Sequence, residues 1–539
     1  MLELADYARM REAFRWVIPA RFNIARAACE VWAAREPDRP AVFDARPSGL
    51  RTLTYGALRE QSDRLADALR RRGVARGDRV AIQLPQSAEV VVAHMAIYKL
   101  GAIALPVAAL FGVDAIAYRL GDAGAKALIT DAAGLAKLAG IRNALPTLDV
   151  VLSLDGADGG VEDYARALAE AAPGFDCVDT AADDPAMMIY TSGTTGPPKG
   201  ALHAHRVLLG HLPGVQLPHE GLPQPGDKMW TPADWAWAGG LLNILLPGLY
   251  FGVPVVARKT EKFDPEAAFG FIAQHGVRNI FAPPTALRML RTVERPRQRY
   301  KLAIRTLGSG GEALGVETHE WGASALGLSI NEFYGQTECN LVVASCAAVG
   351  LYRAGAIGKP VPGHEVVVIR PDGSRCAPDE RGGIAVLRPD PVMFLGYWGR
   401  PEATAHKFVG DWMTTGDEGA VDADGYIRFI GRDDDVITSS GYRIGPGEIE
   451  DCLLRHPAVA HAAVIGKPDP LRTEIVKAFV VLKPGRTGSD GLAADIQSFV
   501  RERLSAHEYP REIAFIAELP LTTTGKIIRR LLREEPTAG

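Results

Sequence analysis

The densest group of side chains suited to phosphate chemistry lies at Tyr190-Thr-Ser-Gly-Thr-Thr-Gly-Pro-Pro-Lys-Gly200. Thr191, Ser192, Thr194 and Thr195 supply hydroxyls, and Lys199 supplies positive charge. Gly193 and its neighbouring glycines let backbone N–H groups close around a ligand oxygen. Composition alone suits a solvated Ser/Thr/Gly linker about as well. The segment is not a Walker A loop, because that motif needs G-x-x-x-x-G-K-[ST]. Here Pro198 precedes Lys199 and Gly200 follows it.

Further short clusters follow along the chain. They are Gly310-Gly-Glu-Ala313, Tyr334-Gly-Gln-Thr-Glu338, Thr415-Gly-Asp417, Gly431-Arg432, Ser440-Gly-Tyr-Arg443 and Pro520-Leu-Thr-Thr-Thr-Gly-Lys526. Taken singly, each has an ordinary structural explanation: a strand end with a buried tyrosine, an aspartate in a turn, a Gly-Tyr turn before a helix, a solvated lysine. Taken in order, over nearly the whole chain, they resemble the core motifs of the adenylate-forming superfamily. That superfamily holds the acyl-CoA synthetases, the firefly-type luciferases and the peptide-synthetase adenylation domains.

The resemblance implies a role for each position. Thr191, Ser192, Gly193, Thr194, Thr195 and Lys199 form the phosphate loop, and Gly311 and Glu312 stand on the adenine side. Tyr334 stacks on adenine, a use suited to a flat aromatic face, with Gly335 beside it. Thr337 and Glu338 face the phosphates, and Glu338 is the implied Mg²⁺ ligand, since Mg²⁺ favours carboxylate oxygen and water. Asp417 holds the ribose hydroxyls, Arg432 lies on the ribose side and Arg443 on the phosphate side. Asp434 is the hinge. Lys526 is the adenylation lysine, its ammonium set against the charge that builds on the α-phosphate. Its setting also resembles the acetylation site of bacterial acyl-CoA synthetases, which implies a lysine acetyltransferase as a partner; acetylation would remove the charge.

Within the superfamily the chain most resembles the short- and medium-chain acyl-CoA synthetases, above all at SSGYRIGPGEIE, PDPLRTEIVKAFVVL and EYPREIAFIAELPLTTTGKIIRR. This implies ATP and CoA as co-substrates, with Ser440, Gly441, Tyr442, Arg472 and Tyr509 on the CoA side. Acetate-specific relatives carry a bulky Trp before Gln-Thr-Glu, where this chain has Gly335. A missing indole implies a longer acyl tunnel, hence medium-chain or short branched-chain acids. Trp235 and Trp237 resemble the Gly-Trp region of the same branch, and acyl-pocket and plain core roles are equally open for them. An aromatic-acid CoA ligase and an acyl-AMP ligase that loads a carrier protein are the alternatives.

The elements that must position these residues are legible from pattern. The chain has 539 residues, 47% hydrophobic and 23% charged, with 60 Lys+Arg against 64 Asp+Glu. That is enough apolar material for a large core, and the balanced charge gives no sign of a nucleic-acid partner. Six cysteines without a C-x-x-C pair fit a reducing, cytoplasmic setting. The charged N-terminus has no apolar core of a secretory signal. The uncharged run Trp235–Ala257 reads as a buried helix, a Pro-Gly turn and a short strand, not a membrane span. RTLTYGALREQSDRLADALRRRG, DRVAIQL, AEVVVAHMAIYKLG and KALIT alternate strand and helix. The fold expected is α/β: a large multilobed N-terminal domain over residues 1–432, with sheets covered by helices, and a small mobile α+β domain over 433–539. His203 and His205, just after the phosphate loop, read as a solvated helix start with no catalytic role.

Overall fold

The computed structural model describes residues 2–534 apart from 158, 192–196, 260–262, 313, 433, 434, 436, 440, 441, 470–472, 504–508 and 523–525. The described strands form sheets of nine, eight, five and five strands. Helices lie between and over them, so the architecture is the α/β arrangement expected.

The nine-stranded sheet is parallel through its centre. Val255–Arg258, Met229–Trp230, Asn279–Phe281, Thr306–Gly310 and Ile330–Gln336 are successive parallel neighbours. Their short apolar runs are buried on both faces, as parallel strands under helices must be. The eight-stranded sheet is built likewise around Ile103–Pro106, Arg79–Gln83, Ala127–Thr130 and Val150–Ser153. Ala88–Lys99 is buried along its whole length, which explains why its sequence is apolar all round. Tyr55–Arg71 starts at a Thr54 cap and stops before Gly73, whose φ of +83° suits glycine.

An antiparallel five-stranded sheet follows, with Gly382–Leu387, Trp412–Val421 and Ile427–Arg432 at its heart. The last sheet draws every strand from residues after 436: Ile437–Ser439, Tyr442–Ile444, Val459–Asp469, Thr473–Leu482 and Glu512–Phe515. With helices Pro446–Leu454 and Asp490–Arg503 it encloses a core of its own, including Ile449, Leu453, Val464, Val480 and Val500. The hairpin Ile437–Ile444 and the helix Arg529–Glu534 are too short for their sequences to show a period.

The run Trp235–Ala257 departs from expectation in one respect. Helix continues from Ala238 to Phe251, straight through Pro247-Gly248, and turns at Gly252 instead. A π-turn at Leu241–Leu245 widens the helix just before Pro247, where the missing N–H would otherwise break the ladder. Val255–Arg258 is the expected strand. No helix among the described residues is long and apolar enough to cross a membrane.

Candidate active site

Two parallel strands carry the first pair of motifs to one place. Thr306–Gly310 and Ile330–Gln336 run side by side, with Gly310 opposite Phe333. Gly311-Glu312 and Thr337-Glu338 therefore leave the same carboxyl edge of the sheet, the usual place for ligands in α/β folds. Gly311 has φ +98°, a backbone shape open to glycine, and no atom lies within 4 Å of where its Cβ would stand. Glu312 is held by Arg288 at 2.8 Å and by the Thr285 hydroxyl at 3.0 Å.

Two further strands, Trp412–Val421 and Ile427–Arg432, bring in the Thr415-Gly-Asp417 and Gly431-Arg432 motifs. Asp417 and Arg432 are direct partners on neighbouring antiparallel strands. The Arg432 guanidinium donates to Asp417 Oδ1 at 3.0 Å, and the Tyr334 hydroxyl donates to Oδ2 at 2.5 Å. Three motifs far apart in sequence thus meet on one carboxylate. Burial pushes the Asp417 carboxyl up; Arg432, the Tyr334 hydroxyl, Lys407 and Lys526 pull against that. Lys526 is therefore near enough for its charge to act on Asp417. It is itself exposed, on a tight turn where Thr522 N donates to Lys526 O at 2.7 Å and Lys526 N donates to Thr522 Oγ1 at 3.0 Å.

Glu338 is 7% exposed, and the Tyr397 hydroxyl donates to its Oε1. Lys199 Nζ stands 5.2 Å from the centroid of the Tyr397 ring, which links the phosphate loop to the Glu338 side. Lys407 donates to Gln336 Oε1 at 3.1 Å, and burial lowers its pKa while Glu338 and Asp417 raise it. Motif reading missed both Tyr397 and Lys407. Neither sits in a glycine-rich or hydroxyl-rich stretch that would mark it. Among the described residues no cluster of three or more His, Cys, Asp or Glu side chains could cage a metal. A single carboxylate beside phosphate oxygens fits Mg²⁺, which commonly takes one or two protein carboxylates and completes its shell with water and substrate.

Comparison with known proteins matches this layout. Residues 29–398 match the model of the AMP-binding enzyme family, and residues 448–526 match that of the AMP-binding enzyme C-terminal domain. The chain belongs to the adenylate-forming AMP-binding enzyme family. Among relatives, it is 34% identical to acyl-coenzyme A synthetase ACSM2, mitochondrial, of Rattus norvegicus, covering 97% of this chain and 93% of that protein. It is 36% identical to the acetyl-coenzyme A synthetase of Bacillus subtilis (strain 168), over 89% of this chain and 84% of that one. Among solved structures, the anthranilate CoA ligase AuaEII in complex with anthranoyl-AMP superposes with a TM-score of 0.88 at 30% identity, covering 96% of this chain and 97% of the other.

In this AMP-binding enzyme the residues expected at the acyl side separate. Trp235 is 2% exposed and packs in the main core, so it is not available to line a pocket. Trp237 is half-buried and meets Phe111 edge to face at 5.5 Å. Gly335 does not mark an emptied indole site. A Cβ there would lie 2.2 Å from Leu341 N and 2.7 Å from Asn340 Cα, so the glycine answers the close approach of the next strand. His203 and His205 are also not a solvated helix start. His203 lies on strand Lys199–Ala204 and His205 just beyond it; both are buried, and burial lowers their pKa values to about 3 and about 4.

The remaining expected residues divide between described and undescribed positions. Thr191 ends strand Pro185–Thr191 opposite Lys199. Tyr509 is half-buried, with the Arg511 guanidinium 5.1 Å from its ring centroid. Ser192, Gly193, Thr194, Thr195, Asp434, Ser440, Gly441 and Arg472 lie outside the described residues, as do the side chains of Tyr442 and Arg443.

Proposed function

We propose that this enzyme is an ATP-dependent acyl-CoA synthetase: carboxylic acid, ATP and CoA give acyl-CoA, AMP and diphosphate through an acyl-AMP. The observation that carries the reading is the meeting of Tyr334 and Arg432 on the buried Asp417, a carboxylate that also feels the charge of Lys526. A buried carboxylate that takes one hydrogen bond on each oxygen and keeps a lone pair on each suits a ribose diol. The tyrosine ring beside it suits a base. An exposed ammonium brought to the same place suits the oxygens of the phosphate under attack.

In the first half-reaction the substrate carboxylate attacks the α-phosphorus and diphosphate leaves. Lys526 stabilises the charge that grows on the oxygens, while Lys199, Thr337 and the phosphate loop hold the departing group. Mg²⁺, when bound beside Glu338, supplies further charge neutralisation. In the second half-reaction the region after Asp434 turns, Lys526 withdraws, and the segment Ser440–Tyr442 with Arg472 and Tyr509 lines the path of the CoA thiol to the acyl carbon. The domains proposed are residues 1–432 and 433–539. The exposed Lys526 ammonium is also open to acetylation, which would silence the first half-reaction.

For the acid, medium-chain or short branched-chain substrates are the first reading, resting on the resemblance of the C-terminal motifs to the short- and medium-chain acyl-CoA synthetases. An aromatic acid is the second, supported by the anthranoyl-AMP complex and by rings at Trp237, Phe281 and Phe333, the last two 5.3 Å apart. The test is to measure AMP and thioester together from acetate to decanoate, with isobutyrate and benzoate. Equal AMP and thioester with a maximum at four to eight carbons supports the first reading, and a maximum at benzoate the second. AMP without thioester would overturn the CoA-ligase assignment.

A further inference from the structure

Behind the acyl side, two buried asparagines face each other. Asn243 is 2% exposed and sits in the π-turn Leu241–Leu245, one turn beyond Gly239. Asn340 is 8% exposed and directly precedes Leu341, a non-glycine residue at φ +61°. Leu341 and the π-turn are both departures from regular backbone. Such departures cost energy and gather at functional sites.

The hydrogen bonds fix which way each amide points. His211 Nδ1 donates to Val207 O at 2.7 Å, so its Nε2 is the acceptor, and burial keeps the ring neutral by lowering its pKa to about 4. Asn340 Nδ2 donates to that Nε2 at 3.0 Å and to Asn243 Oδ1 at 2.7 Å. Both protons of the Asn340 amide are thereby used. The acceptor Asn340 Oδ1 and the donor Asn243 Nδ2 have no hydrogen-bond partner among the described residues, and neither is sealed among packed atoms. Asn243 Nδ2 lies 3.8 Å from where a Cβ on Gly239 would stand, and Gly239 is half-buried between Trp237 and the Phe281 ring. The pair therefore lies beside the acyl-side positions expected from the sequence: Asn243 next to Gly239, two residues after Trp237, and Asn340 with its Cα 2.7 Å from where a Cβ on Gly335 would stand.

We propose that Asn243 and Asn340 select a carboxylic acid bearing a hydroxyl or amino group away from its carboxylate. This rests on the reading of the chain as an acyl-CoA synthetase. A hydroxyl or primary amine both donates and accepts, so one substituent answers both open atoms. A methyl or methylene answers neither and would seal a donor and an acceptor unpaired, which is how a polar pocket rejects an apolar analogue. The plain alkyl chain of the first substrate reading is thus the weaker ligand for this pocket floor.

The test compares acids that share a skeleton: hexanoate against its chain-hydroxylated isomers, and benzoate against its ortho, meta and para hydroxy and amino derivatives. The readout is kcat/KM for AMP release with thioester measured in parallel. At least one polar member should exceed its parent by about tenfold or more. In Asn243→Leu, close in volume, that ratio should fall toward one, and a ratio unchanged from the wild type would count against the proposal. Parents equal to or better than all their polar derivatives in the wild-type enzyme would overturn the proposal and leave the synthetase reading standing, whether or not the variant folds. Silence with every acid, parent and derivative alike, would instead overturn the synthetase reading and this inference with it.

Discussion

Arg432 and Asp435 stand three positions apart and are held from opposite sides. Arg432 donates to Asp417 on the neighbouring strand at 3.0 Å. Asp435 accepts from Arg533 at 2.8 Å and Arg529 at 3.4 Å, both on the helix Arg529–Glu534. Asp435 N donates to Arg432 O at 3.0 Å. A rotation about the proposed hinge would part these two anchors, Asp435 moving with the helix Arg529–Glu534 and Arg432 staying with Asp417. The proposed hinge at Asp434 falls between the two anchors.

Arg529 is the centre of the moving anchor. Besides Asp435 it holds Glu450 with two bonds, at 2.6 and 2.8 Å, and burial would otherwise push the Glu450 carboxyl far up. Arg529→Met strands Glu450 and leaves Asp435 with Arg533 alone. It should cost about 2 kcal/mol or more, less than for a fully buried pair because both partners keep some exposure. Hydrogen exchange should show the loss in residues after 435 and little change in the two large sheets.

Asp417→Asn removes the charge on which Tyr334 and Arg432 converge. The KM for ATP should rise by about tenfold or more, the cost of losing charge-assisted hydrogen bonds. Tyr334→Phe keeps the ring and loses one hydroxyl, so its effect on KM should be smaller. Initial-rate kinetics with ATP varied at saturating acid and CoA decide this.

Lys526→Ala should separate the half-reactions. Formation of acyl-AMP should fall by about a hundredfold or more, with the KM for ATP little changed, because the lysine acts on charge that appears in the transition state. Chemically made acyl-AMP offered with CoA should still give thioester at close to the wild-type rate. Equal losses in both steps would mean that Lys526 holds the fold or the nucleotide instead.

Several histidines set the acid limit of stability. Burial lowers His203 to about 3, and His205, His211 and His219 to about 4, from an ordinary 6.5. Below 6.5 the unfolded chain takes up protons that the folded chain refuses, so folding stability falls as pH drops from 6.5 toward 4. Thermal unfolding should show a lower Tm at pH 5 than at pH 7. His203→Gln should make that drop shallower, whatever it does to the Tm at pH 7.

The nucleotide side was largely legible in the sequence, because contacts to phosphate and ribose come from short runs of glycine, hydroxyl and charge that a strand end or turn can present. Tyr334, Asp417 and Arg432 could be picked out one by one. Their meeting through two hydrogen bonds could not, since it depends on which strands become neighbours. Lys407 and Tyr397 carried no local mark, and only the sheet geometry brings them to Gln336 and Glu338. The acyl side was misread for a related reason. Gly335 looked like a missing side chain, but its vacancy is filled by the backbone of Asn340 and Leu341. Trp235 and Trp237, two positions apart, differ because one is buried in the main core and the other lies half-buried against Phe111.

The most direct test of the central claim is acid-dependent exchange of labelled diphosphate into ATP, run with MgATP and carboxylic acids and with CoA left out. An acyl-AMP intermediate predicts exchange that needs the acid, needs no thiol and is lost in Lys526→Ala. Exchange without acid, or ADP and phosphate as the nucleotide products, would contradict it.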